Sequence, residues 1–142
     1  MAAPFHASVR IRFEHADPEG IMFFGNIYGI AHEVYEQFVE HLGFTYKDWF
    51  LNKTWGVPLR KSECLYSAPL LPGQTYDVKV TVPQISDSSF GTHYIFALNG
   101  KTHAEVTLAH VFVDRNARSK TAIPSEIRGR LETYQREHGL TK

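Results

Sequence analysis

Between Asn26 and Leu42 the chain carries an apolar pattern that leaves few folds open to it. Ile27, Ala31, Val34, Phe38 and Leu42 recur at helical spacing, and Ile30, Tyr35 and Val39 widen the stripe. An arc this broad predicts a helix covered over much of its circumference, not one lying on a surface. Gly43 is a natural C-cap for it. A second short helix or turn follows over 45–51, with Trp49 and Phe50. The cover has to come from the rest of the chain, and the rest reads as strands. In 6–13, Val9, Ile11 and Phe13 alternate with polar residues. Residues 57–67 alternate loosely and 76–82 cleanly; 90–98 runs into Asn99-Gly100, a two-residue hairpin turn, and on into 102–113. Pro124 opens a short C-terminal helix. The order is strand, long helix, then about four antiparallel strands. The expected class is α+β, one helix against a strongly bent antiparallel sheet, in a single domain over 1–142.

Composition narrows the function. Lys plus Arg and Asp plus Glu number 15 each, so the formal net charge is zero, which argues against nucleic acid as the main partner. Cys64 is the single cysteine. A disulfide within the chain is therefore impossible, and Cys64 is expected as a packed or half-packed strand thiol. No segment is long and apolar enough to span a bilayer, and the N-terminus has no secretory signal pattern, so a cytoplasmic location is expected.

The eight histidines raise the question of a metal. His32-Glu33-Val34-Tyr35-Glu36 begins like the zinc-protease helix motif, but Glu36 stands where the second histidine ligand is needed. His103 and His110 fall at odd spacing on one strand and are expected on opposite faces, as surface or interface residues. No metal site is expected. A Gly-x-Ser-x-Gly elbow and a Gly-x-Gly-x-x-Gly loop are both absent.

Asp17-Pro18-Glu19-Gly20-Ile21-Met22-Phe23-Phe24-Gly25-Asn26 remains. Asp before Pro is a common turn residue, and a structural turn is one reading. The other is a pocket: a rigid turn holds a carboxylate, apolar residues follow where water favours polar ones, and Gly25 admits close approach to the backbone at a helix start.

Asp17-Pro18-Glu19-Gly20-Ile21, followed by Phe23-Phe24, Asn26 and Tyr28, resembles the signature of hotdog-fold acyl-CoA thioesterases of the 4-hydroxybenzoyl-CoA thioesterase type. His32 to Glu36 and Val57-Pro58-Leu59 are similar to segments of 1,4-dihydroxy-2-naphthoyl-CoA thioesterases. The resemblance implies a hotdog fold, a long central helix wrapped by a curved antiparallel sheet. It implies thioester hydrolysis with Asp17 as nucleophile or general base. It also implies that the Phe24 backbone N–H, beside Gly25, acts as oxyanion donor, and that Phe23, Asn26 and Tyr28 line the substrate pocket. CoA is then part of the substrate and no separate cofactor is expected. Arg115, Arg118 and Lys120 are the first candidates for its phosphates, with Arg60 and Lys61 as second choices. Hotdog subunits pair their sheets, which implies a homodimer or homotetramer. Two positions depart from the family pattern: His15 stands where many relatives have a second Asp, and Asp87-Ser88 where the 4-hydroxybenzoyl enzyme is basic. An aromatic acyl group is expected. The alternatives are an aliphatic acyl-CoA or acyl-carrier-protein thioesterase, and a non-catalytic domain that binds an apolar ligand.

Overall fold

A computed structural model describes residues 3–138. Strand β1 (Phe5–Arg10) leads through a 3-10 turn (Phe13–His15) and a loop to helix α1 (Asn26–His41) and the short α2 (Tyr46–Phe50). Then come β2 (Trp55–Gly56), β3 (Leu59–Tyr66), β4 (Thr75–Thr81), β5 (Ser89–Leu98), β6 (Lys101–Val111), β7 (Val113–Asp114) and α3 (Ser125–His138). The main sheet has five antiparallel strands in the order β1-β4-β5-β6-β3, and β2 and β7 form a small second sheet.

The helix lies where its pattern requires. Ile27, Ile30, Ala31, Val34, Tyr35, Phe38 and Val39 are buried. Facing them are Val78 and Val80 of β4, Tyr94 and Phe96 of β5, and Val106 and Leu108 of β6, all fully buried. Each such large side chain contributes about 1.5–3 kcal/mol by leaving water. Gly43 ends the helix at φ +102°, the left-handed conformation that glycine takes without a steric penalty. The hairpin turn also forms as expected: Leu98 pairs with Lys101, with Asn99 at φ 52° and Gly100 at φ 79°. Helix α3 packs Ile127, Leu131 and Tyr134 inward. The Tyr134 hydroxyl donates to the Val80 carbonyl and accepts from the Phe5 N–H, tying α3 to β1 and β4.

Three expectations are corrected. The first strand stops at Arg10, so Phe13 is 92% exposed and no core residue. After Ile11 the chain leaves the sheet, and the Phe13 carbonyl closes the 3-10 turn by accepting from Ala16. The predicted strand over 102–113 is divided, with β7 after Phe112 pairing to β2 instead of to the main sheet. His103 and His110 are both buried, not surface residues. His110 follows the alternation and faces α1, where it stacks on Tyr35. His103 escapes alternation because the β5–β6 register shifts beside it, so that it sits against Tyr76 and bonds the Pro69 carbonyl.

Candidate active site

The loop between β1 and α1 is held by its backbone. Asp17 N–H donates to the Ile21 carbonyl (2.9 Å) and Gly20 N–H to the Asp17 carbonyl (3.0 Å). Gly20, at φ +82°, makes that turn possible. Asp17 Oδ1 accepts from Glu19 N–H at 2.8 Å, an Asx turn that fixes the carboxylate. The other carboxylate oxygen makes no hydrogen bond among the described residues.

His15 is the hub of the loop. Its carbonyl accepts from Phe23 N–H (2.8 Å) and from the Asn26 side-chain amide (2.9 Å), and its ring Nδ1 accepts from Arg12 N–H (2.9 Å). Asn26 therefore clamps the outbound arm of the loop to the first residue of the helix. Met22 N–H donates to the Leu70 carbonyl (2.8 Å), which ties the returning arm to the segment after β3.

Phe24 and Gly25 stand immediately before α1, and neither backbone N–H has an acceptor among the described residues. A helix start leaves such donors free and at the positive end of the dipole. Gly25 is packed close under the Phe23 ring, since a Cβ there would lie 2.9 Å from it. Phe23 and Phe24 are exposed and pack on each other, 4.8 Å between centroids. The hydroxyl of Tyr66, at the end of β3, donates to the Phe24 carbonyl at 2.6 Å. An apolar cleft of about 470 Å³ opens here, lined by Ile21, Met22, Phe24, Tyr66 and the Ser67–Leu70 segment. Tyr28 lies half-buried on the first turn of α1.

Arg115, Arg118 and Lys120 do not join this group within one subunit. Tyr66, which touches Phe24, pairs with Ala104, whereas Leu59 pairs with His110 at the other end of β3. Six residues of strand separate Ala104 from His110, about 20 Å, and Arg115 lies farther along. Arg115 Nε donates to the Asn52 carbonyl (2.6 Å), with its guanidinium over Gly56. Arg118, at φ 56°, closes a turn capped by Asp114, and Lys120 bridges to Val113.

A second groove, about 410 Å³, runs between α1 and the start of β3, with His32, Glu36, Phe50 and His110 among its lining. His110 Nε2 bonds Thr92 Oγ1 (2.8 Å), and its ring is sandwiched by Tyr35 (4.4 Å) and Phe90 (4.7 Å). Burial, reinforced by nearby His32, pushes its pKa down to about 3, so the ring is neutral. Cys64 is half-buried and its thiol is pushed up by burial, which makes it a poor nucleophile. Among the described residues no three His, Cys, Asp or Glu side chains could hold a metal, and no helix is long and apolar enough to cross a membrane.

Neither Tyr66 nor the His110 cluster is identifiable from local sequence, because each depends on strand pairing across the sheet. An aromatic residue ending a strand was the only available signal for Tyr66.

The family profile of the thioesterase-like superfamily matches residues 11–131, from the entry to this loop through the first half of α3. The chain belongs to the thioesterase-like superfamily. As a member it is a thioester hydrolase of hotdog fold. Among its relatives is a 1,4-dihydroxy-2-naphthoyl-CoA hydrolase from Nostoc punctiforme, 29% identical over 127 residues that span 89% of this chain and 86% of the relative. The fold matches that of a 1,4-dihydroxy-2-naphthoyl-CoA thioesterase from Synechocystis, with a TM-score of 0.83 at 19% identity over 91% of this chain and 96% of the other. A gentisyl-coenzyme A thioesterase superposes with a TM-score of 0.81 at 25% identity, covering 89% and 99% of the two chains.

Proposed function

We propose that this thioesterase hydrolyses an acyl-CoA with an aromatic acyl group, releasing the free acid and CoA. Asp17 acts as nucleophile or as general base toward water. The Phe24 N–H, with Gly25 beside it, receives the carbonyl oxygen as it becomes an oxyanion. The observation that carries this reading is the loop: a fixed carboxylate with one unbound oxygen lies on the same short loop as free N–H groups at a helix start, which stand beside an apolar cleft. With Asp17 as base, the carboxylate takes a proton from water while the water oxygen bonds to the thioester carbon. The C–S bond then breaks, and the CoA thiolate leaves and takes up that proton. With Asp17 as nucleophile, its oxygen displaces CoA, and water cleaves the resulting anhydride to restore the carboxylate. Either route consumes one water and needs no cofactor.

The aromatic preference is supported by the exposed Phe23 and Phe24 and by relatives named for naphthoyl and gentisyl thioesters. The active form in this reading is a homodimer or homotetramer. Strand β3 is an edge strand that exposes Leu59, Leu65 and Tyr66, an apolar edge of the kind proteins otherwise protect. A second copy is also the source from which Arg118 and Lys120 reach the CoA phosphates. The test is hydrolysis of a panel of aryl-CoA and medium-chain acyl-CoA esters by wild type and Asp17→Asn. The variant is expected to lose about 10²–10⁴-fold in kcat. Equal activity removes Asp17 from the chemistry, and a preference for aliphatic chains overturns the aromatic assignment alone.

A further inference from the structure

We infer that Tyr66 is a positioning residue for the hydrolysis: by holding the Phe24 carbonyl it aims the Gly25 N–H, which joins the Phe24 N–H as a second oxyanion donor. The inference rests on the hydrolytic reading above. The carbonyl of Phe24 and the N–H of Gly25 belong to one planar trans peptide, in which the two bonds point in opposite directions. Whatever fixes the carbonyl therefore fixes the N–H. The preceding peptide is held in the same way, because the Phe23 carbonyl accepts from Asn26 N–H at 3.0 Å and so orients the Phe24 N–H.

The Phe24 carbonyl has weaker help from its own helix. Ile27 N–H approaches it only at 3.4 Å, whereas Tyr66 donates at 2.6 Å. Nor does the Phe24 side chain anchor the residue, since it is 66% exposed. The Tyr66 bond reaches from a strand 42 residues away and sets the start of α1 against β3. A hydrogen bond accepted by a carbonyl also polarises its peptide and makes the attached N–H a better donor. Burial raises the Tyr66 phenol far above its ordinary range, so the hydroxyl keeps its proton and its role as donor.

Tyr66→Phe removes the hydroxyl and keeps the ring that lines the cleft. With an aryl-CoA substrate, kcat is expected to fall by up to about tenfold, the worth of one net hydrogen bond, with KM unchanged. In a nitrogen–proton correlation spectrum the Gly25 amide should shift while core resonances stay in place. Asp17→Asn is assayed in parallel. If Asp17→Asn is inactive and Tyr66→Phe keeps the wild-type kcat, the inference is overturned. It is also overturned if Tyr66→Phe raises KM alone, or leaves the Gly25 amide unmoved. If Asp17→Asn is as active as wild type, it is the hydrolytic reading that fails.

Discussion

His110 makes the stability of this fold depend on pH in a way that one substitution isolates. Its ring is stacked between Tyr35 and Phe90, its Nε2 bonds Thr92, and its Nδ1 has no partner among the described residues. From α1, His32 and Glu36 line the same groove. Burial and the His32 charge hold its folded pKa at about 3, against about 6.5 for an ordinary histidine. The fold therefore keeps His110 neutral, while the unfolded chain takes up a proton below about pH 6.5. Its contribution is fully present above that pH and is lost as pH falls toward about 3. Linkage gives a loss of about 2 kcal/mol by pH 5, and about 5 kcal/mol once both states are protonated. Urea unfolding of wild type and His110→Phe at pH 7 and pH 5 measures it. Phe keeps the stacking and cannot titrate, so whatever it costs at pH 7, its loss on going to pH 5 should be about 2 kcal/mol smaller than that of wild type. Equal losses in the two proteins would refute the reasoning, because His110 would then take up its proton inside the fold as readily as outside.

Two further outcomes follow from the loop and the basic segment. Asn26→Ala removes the clamp on the His15 carbonyl, and should cost about 1 kcal/mol in a thermal melt while lowering kcat for the aryl-CoA; an unchanged kcat would make the clamp purely structural. Charge reversal at both Arg118 and Lys120 should raise KM for CoA esters and leave kcat unchanged, and a constant KM would place the phosphates elsewhere.

What was legible in the sequence was what a residue's neighbours decide. The buried arc of α1, the Asn99-Gly100 turn and the tight turn at Asp17 each follow from local spacing or backbone preference, and each formed. The failures share a cause. Phe13 fits the alternation of β1, yet the strand ends before it, because β4 supplies partners only as far as Thr75, opposite Arg10. His103 breaks the face rule because a register shift lies beside it, a property of the pair β5–β6 and not of either strand alone. The bond from the Asn26 amide to the His15 carbonyl is likewise outside what the motif shows, because the folding of the loop brings the two together. The basic run after β6 is visible in sequence, but its separation from Asp17 is not, since the direction of β3 against β6 sets it.

Strand β3 bears on both the chemistry and the proposed assembly. One end carries Tyr66 to the Phe24 carbonyl, and the outer edge has no partner strand among the described residues. Tyr66 is only partly buried, so its hydrogen bond still competes with water, and so do the free N–H groups that it helps to aim. In the proposed homodimer, a second copy lying along that edge and over Leu65 would exclude water from the bond. Lower local polarity strengthens both the bond and the donors' interaction with a developing oxyanion. Association would then raise kcat as well as stability, because the strand that buries its apolar edge in the partner is the strand that holds the oxyanion peptide in place.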